Sequence, residues 1–279
     1  VCGTMGAMTT PETLMSVARA LAQEAATLVI AGRADAAVAA TKSSPIDIVT
    51  QMDLNAERLL RQRLSELRPD DAILGEEGDD VQGASGITWV LDPIDGTVNY
   101  LYGLPHFAVS VAAVSGEPTP QTWTPLAGAV CDGSGVVWSA SRGGGAWRDS
   151  QSLRRTSAPT LDSTLLGTGF QYVAERRVRQ GEIVTGMLGR VRDIRRLGAA
   201  AVDLCLVAAG QLDAYYEHGL HPWDFAAAAL IAQEAGVRVA GIDGGPPDGR
   251  LTIAAMPDVW NELAEALIEA GADRTWAAP

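Results

Sequence analysis

Three short acidic stretches have the composition of a hard-cation site: Gly75-Glu76-Glu77, then Asp92-Pro93-Ile94-Asp95-Gly96-Thr97, and far downstream Trp223-Asp224. Mg2+ takes oxygen ligands in near-octahedral geometry, and carboxylates at strand ends and helix starts are rigidly held and accessible. Each stretch lies where an apolar run ends or begins: after Ala72-Ile73-Leu74, after Trp89-Val90-Leu91, and just before the alanine-rich segment Phe225 to Ala235. Pro93 fixes its own φ and removes an amide donor, so Asp92 and Asp95 splay across a stiff turn with the Ile94 carbonyl free between them. Such a turn can ligate two ions. Gly96 lets backbone approach a ligand closely, and a helix opening at Thr97 would turn unpaired amides toward a phosphate. A carboxylate-rich cleft repels a phosphate monoester unless cations bridge the two, so the combination predicts metal-assisted phosphoryl chemistry. Asp-Pro or Asp-Gly alone commonly marks only a turn or a cap. The whole run is more specific.

The run Trp89 to Tyr100 (WVLDPIDGTVNY), followed by Trp223 to Ala228 (WDFAAA), resembles both signatures of the inositol monophosphatase family of Mg2+-dependent, lithium-sensitive phosphatases. Lys42 to Asp53 resembles that family's amino-terminal motif, and Arg195 to Leu204 its mid-chain segment. Asp213 to Glu217 fits as well, so the landmarks cover most of the chain.

The resemblance implies a layered αβαβα sandwich of the inositol monophosphatase and fructose bisphosphatase type, and a homodimer. It implies two or three Mg2+ ions held by Glu76, Asp92, the Ile94 carbonyl, Asp95 and Asp224, with Li+ inhibitory. Glu76 and a Thr97–Asp53 pair would position and deprotonate a metal-activated water that attacks in line. Asp95, Gly96 and Thr97 would receive the phosphate. Ala200, Glu217, Asp224 and either Arg195 or Arg196 match substrate-side positions. Lys42 and Glu77 would stand just behind the ligands.

Among the family's substrates, which include inositol phosphates, histidinol phosphate, fructose bisphosphate and adenosine bisphosphate, inositol monophosphate is the leading expectation. Glu217 can accept hydrogen bonds from neighbouring hydroxyls. It could also pair with the ammonium of histidinol phosphate, which keeps that phosphatase as the alternative. A non-catalytic regulatory protein on the same fold is the alternative of another class; an eroded ligand set would be its sign, and no ligand is missing. The chain departs from the family at Gly78-Asp79-Asp80, where relatives frequently have a hydroxyl residue, and at Val237, where a small residue is usual.

Composition agrees with an enzyme of this kind. A chain of 279 residues, 47% hydrophobic, buries a sizeable core as one catalytic domain over 11–279, in two halves meeting near 150. A net charge of -13 argues against nucleic acid as a partner, which needs a cationic footprint. Arg176, Arg177 and Arg179 read as a solvated patch. No continuous apolar stretch is long enough to span a membrane, since Asp203 interrupts the run from Ala199. Val1 to Met8 lacks the features of a signal peptide. A cytoplasmic protein with a small-molecule partner and no membrane is therefore expected. Cys2, Cys131 and Cys205 lack the spacing of a zinc or redox pair, and the last two sit in apolar runs as buried thiols. His218 and His221 read as loop histidines rather than zinc ligands.

The elements that must position these groups are legible in outline. Val1 to Thr10 is expected to be flexible, followed by a helix over about 11–31. A second amphipathic helix follows Asp53, which could cap it. Strands are expected over 107–114, 127–131, 136–140, 165–168, 213–216 and 237–241, and helices over 200–209, 225–235 and 259–270. Gly143-Gly144-Gly145 lacks the Lys-Ser/Thr of a phosphate loop and reads as a turn between strands.

Overall fold

A computed structural model describes residues 10–35, 37–42 and 47–274. Most of the expected flexible start, together with Cys2 and Ser43 to Ile46, lies outside the described residues. Helix α1 (Pro11–Ala31) has Thr10 as N-cap and proline in its first turn, the arrangement that satisfies the first orphan amides. A two-stranded ribbon of β1 (Val38–Thr41) and β2 (Ile48–Thr50) leads into α2 (Gln51–Leu67). That helix starts earlier than its apolar pattern implies: Thr50 is the N-cap and Asp53 closes a reciprocal capping box from the third helical position. Asp53 is thus inside the helix rather than its cap.

A seven-stranded sheet follows in the order β3 (Ala72–Gly75), β4 (Ile87–Asp95), β5 (Ala108–Ser115), β6 (Thr124–Asp132), β7 (Val137–Ser141), β8 (Gly145–Arg148) and β9 (Gln151–Leu153). Every residue of β4 is buried, because helices cover both faces of the sheet. Only β3 runs parallel to β4; β5 is antiparallel, and their register slips between Asp92 and Asp95. Pro93 cannot donate to the ladder there, so a bulge forms and re-aims both aspartates out of the sheet. The five residues of α3 (Thr97–Leu101) follow at once. Arg142 to Gly144 form the turn between β7 and β8, with Gly145 opening β8.

The second sheet has the order β11 (Asp193–Arg195), β10 (Leu165–Thr168), β12 (Ala214–Glu217), β14 (Thr252–Ala255), β13 (Arg238–Gly241), with β10, β11 and β12 mutually parallel. Between the strands run α4 (Ala174–Met187), α5 (Ala200–Ala208), α6 (Pro222–Glu234) and α7 (Pro257–Glu269).

Three apolar clusters define five layers. Leu14, Leu21 and Val29 of α1 and Leu60 of α2 meet Trp89, Val111 and Ala129 on one face of the large sheet. On its other face, Val90, Ala112 and Val130 pack with Leu204 of α5 and Ile231 of α6, which also bury Tyr215 and Ala254 of the small sheet. Ile183 of α4 and Leu263 and Leu267 of α7 cover that sheet's outer face through Tyr216 and Ile253. Fully burying each such large side chain contributes about 1.5–3 kcal/mol, so α5 and α6, apolar nearly all round, can sit only in the middle layer.

One expectation is corrected. The helical segment from Pro11 to Ala34 is long and apolar enough, by length and composition, to cross a membrane. Leu14, Ala18, Leu21, Ala22, Ala25, Ala26 and Val29 on one face of it are buried, while Ile30 is exposed, so that face packs against the sheet.

Candidate active site

The C-terminal ends of β3, β4 and β12 and the N-termini of α3, α5 and α6 converge on one cleft of about 420 Å³. It is lined by Glu76, Asp92, Ile94, Asp95, Thr97 and Asp224 on the acidic side. Lys42, Gly96, Ala200 and Glu217 line it too. Asp53 and Glu77 stand just behind. Of the residues singled out in the sequence, Arg195 alone points elsewhere: it is exposed and pairs with Asp193 at 2.6 Å. Arg196 lines the cleft in its place.

Each carboxylate is held by the element that carries it. Asp95 Oδ2 accepts the Ala201 amide at 2.6 Å, so the N-terminus of α5 faces this anion. Asp224 occupies the third position of α6 and accepts the His221 amide at 2.7 Å. Gly96 has φ 87°, and a Cβ there would lie 2.9 Å from the His106 carbonyl, so the sharp exit from β4 requires glycine. The Thr97 hydroxyl lies 3.0 Å from the Ile94 carbonyl and 3.2 Å from Asp53 Oδ1, while Asp53 Oδ2 accepts the Thr50 amide at 2.8 Å. Asn99 Nδ2 donates to the His106 and Leu197 carbonyls, both at 2.7 Å, tying α3 to the approach to α5.

The electrostatics are those of a site short of positive charge. Asp92 is 1% exposed and its Oδ1 has no hydrogen-bond partner. Burial, then repulsion from Glu76, Asp95 and Asp224, pushes its carboxyl well above the usual range. Burial raises Asp224 likewise, with Glu76 and Asp95 adding to it. Asp95 rises to about 7, chiefly through burial and against the help of the Ala201 amide. Asp53 rises to about 6, again through burial, with its Thr50 hydrogen bonds opposing.

Among the described residues, no three His, Cys, Asp or Glu side chains close to metal-ligand spacing around one point. Lys42 Nζ instead lies 2.6 Å from both Glu76 and Glu77. Although burial alone would lower the lysine, these two carboxylates hold it above its ordinary value. The donor set still fits hard divalent cations: it is all oxygen, it is rigidly carried, and the buried Asp92 carboxylate, with one oxygen unpaired and three acidic neighbours, is suited to a cation. Glu76, Asp92, the Ile94 carbonyl, Asp95 and Asp224 are the groups that would hold them.

Opposite the carboxylates the wall comes from the segment after β10. Phe170, Gln171, Tyr172 and Arg176 line it, with Arg176 Nη1 donating to Gln171 Oε1 at 3.0 Å and the Arg196 guanidinium 5.9 Å from the Phe170 ring centroid. Arg176 therefore leaves the solvated patch and joins the cleft. The signal available in sequence was position: this polar and aromatic run follows a strand end directly. Tyr215 donates a short hydrogen bond to Glu217 Oε2. Burial raises Glu217 to about 7, while Tyr215 and Arg196 lower it. His218 is buried with Nε2 2.9 Å from the Ala272 carbonyl, the His221 ring stacks on Trp223, and both residues line the cleft. Cys131 and Cys205 are free, buried thiols.

A layered fold with an oxygen-rich cleft beside a small helix start defines a phosphatase class, and sequence comparison agrees. The inositol monophosphatase family model matches residues 10–274, and the chain belongs to that family. Its fold and homology make it a phosphatase, of a family that is generally metal-dependent. An inositol-1-monophosphatase of Mycobacterium bovis is 49% identical over 281 residues, covering 92% of this chain and 94% of the relative. The solved structure of Mycobacterium tuberculosis SuhB superposes with a TM-score of 0.80 at 46% identity, over 95% of this chain and all of that one. A more distant relative from Escherichia coli K12, 35% identical over 83% of this chain and 89% of its own length, bears the name Nus factor SuhB.

Proposed function

We propose that this protein hydrolyses myo-inositol monophosphate to inositol and phosphate in a Mg2+-dependent reaction. The observation that carries the reading is the buried Asp92 carboxylate, its Oδ1 without a hydrogen-bond partner, crowded among Asp95, Asp224 and Glu76 in the same cleft as a hydrogen-bonded Thr97–Asp53 pair. Divalent cations held by these oxygens supply Lewis acidity toward the phosphoryl group and acidify a water molecule. The chain's own part is placement and proton transfer. The amides at Gly96 and Thr97 face the phosphate oxygens. Thr97 Oγ1 passes the attacking water's proton to Asp53 Oδ1, whose raised affinity for protons suits an acceptor at neutral pH. Glu76 orients the same water. Glu217, oriented by Tyr215, accepts hydrogen bonds from the ring hydroxyls, and Arg196 and Ala200 close that side.

The test is phosphate release from inositol 1-phosphate and histidinol phosphate, with and without exhaustive chelation. Turnover of the inositol ester that is abolished by chelation and restored by Mg2+ supports the reading; turnover indifferent to chelation refutes it. Nucleic acid is not proposed as a partner, given the net charge of -13.

A homodimer is proposed on the exposure of Tyr102 at 77% and Leu104 at 50%, on the loop after α3. Arg33 ties that loop to α3 by donating to the Leu104 carbonyl, to the Tyr100 carbonyl at 3.0 Å and to the Asn99 carbonyl at 3.1 Å. Its guanidinium also stacks 4.7 Å from the Phe107 ring centroid. An exposed pair of large apolar side chains on a loop tied to the helix before it is suited to meeting a second copy. Light scattering that gives the monomer mass would refute the pairing.

A further inference from the structure

The loop bearing Glu76 and Glu77 leaves β3 with one backbone hydrogen bond into β4, from the Glu76 amide to the Leu91 carbonyl at 3.2 Å. Beyond that point α2 takes over. Glu57, one turn after Asp53 and only 2% exposed, accepts the Glu77 amide on Oε2 at 2.8 Å. Its Oε1 accepts Arg61 Nε at 2.7 Å, and Arg61 Nη2 lies 2.7 Å from the same oxygen. Arg61 Nη1 in turn donates to the Asp79 carbonyl at 2.8 Å. One buried ion pair thus grips the loop's backbone on both sides of Gly78.

The loop is shaped to admit that pair. A Cβ at Gly75 would stand 2.5 Å from Glu57 Oε1 and 2.6 Å from Arg61 Nη2; at Gly78 the corresponding distances would be 2.9 and 3.0 Å. Neither glycine has a positive φ, so space rather than backbone conformation calls for glycine at both. The departure at Gly78, unexplained by sequence, acquires a cause: a side chain there would displace the pair. A buried ion pair is a poor way to gain stability, since desolvation offsets its attraction. Its value here is directional, because the charged ends are fixed to the Glu77 amide and the Asp79 carbonyl, on either side of Gly78 and directly after Glu76.

We propose that Glu57 and Arg61 are positioning residues for Glu76, seated by the glycines at 75 and 78, and that they set the site's affinity for divalent cations. The proposal rests on the reading that Glu76 is a metal ligand. The test uses the full chain, with Mn2+ as an EPR-visible probe, in Glu57→Gln, Gly78→Ala and the double variant. The atoms crowded by an alanine at 78 are the ends of flexible side chains, so that variant folds and moves the pair alone.

Each single variant is expected to raise the Mn2+ dissociation constant about tenfold, the equivalent of one lost hydrogen bond. Amide exchange at Glu77 quickens in each variant. Because both substitutions act through one contact, the double variant loses less than the product of the two. Should Glu57→Gln fold poorly, Gly78→Ala carries the test. Unchanged Mn2+ affinity in the folded variants, or a loss that tracks the thermal midpoint with Glu77 protection intact, overturns the proposal. A wild type that binds no Mn2+ refutes the metal reading beneath it. Mn2+ binding without hydrolysis of any ester refutes only the assigned reaction.

Discussion

Asp53→Asn separates catalysis from stability in this fold. Asp53 is buried and its pKa rises from 3.8 to about 6, so keeping it ionised costs folding free energy in the metal-free protein. A rise of about two units at 1.36 kcal/mol each corresponds to a cost of roughly 2–3 kcal/mol at neutral pH. The sign follows from the direction of the shift. The folded state binds this proton more tightly, so the contribution is favourable below the unfolded value and is lost as pH rises through about 6. Asparagine carries no charge, and its carbonyl can still accept from the Thr50 amide and keep the capping box. Urea denaturation in chelator should show Asp53→Asn as stable as wild type at pH 4 and more stable by about 1–3 kcal/mol at pH 8. Phosphate release should fall by about 10²–10⁴-fold, as expected on removing a general base. A variant within a few-fold of wild-type kcat, or one destabilised at pH 8, would refute the assignment of Asp53 as a strained proton acceptor.

Asp92→Asn and Asp224→Asn should each lower turnover by orders of magnitude without unfolding the chain, and near-normal rates at saturating Mg2+ would remove them from the ligand set. Li+ is expected to inhibit uncompetitively with respect to substrate, by occupying a cation site completed with product phosphate; initial rates over a substrate-by-Li+ grid decide this. Arg196→Ala should raise KM for inositol 1-phosphate several-fold while Arg195→Ala leaves it unchanged, because only the former lines the cleft; equal effects would contradict the placement. Glu217→Gln should weaken kcat/KM for inositol 1-phosphate by roughly tenfold, about one charge-assisted hydrogen bond. A larger loss on histidinol phosphate would reverse the substrate assignment and leave the metal chemistry standing.

The acidic half of the cleft was legible in sequence because each carboxylate ends an apolar run, and run ends are where strands and helices present side chains. Most core strands and the apolar helices α5 and α6 were legible for a related reason, since burial on both sides leaves continuous hydrophobic sequence, and α7 was legible from its apolar residues recurring at helical period. What stayed hidden depends on three-dimensional proximity or short elements. Strands β8, β9 and β11 are three or four residues long, too short for an apolar alternation to show. In α4 only Gln180, Ile183 and Met187 are buried, too thin an apolar stripe to separate a packed helix from a surface one. Arg176 consequently read as solvated although it lines the cleft. Arg195 and Arg196 were indistinguishable because successive residues leaving a strand can turn to opposite sides, and only the partner Asp193 reveals which one turns away. Glu57 was the deepest omission. Four residues after Asp53 it resembles any helical charge, and its importance appears only when Gly75 and Gly78, some twenty residues later, are seen to make room for it. The departure at Gly78 was the visible trace of that contact, a small residue in a loop whose neighbours include two charged side chains from another element.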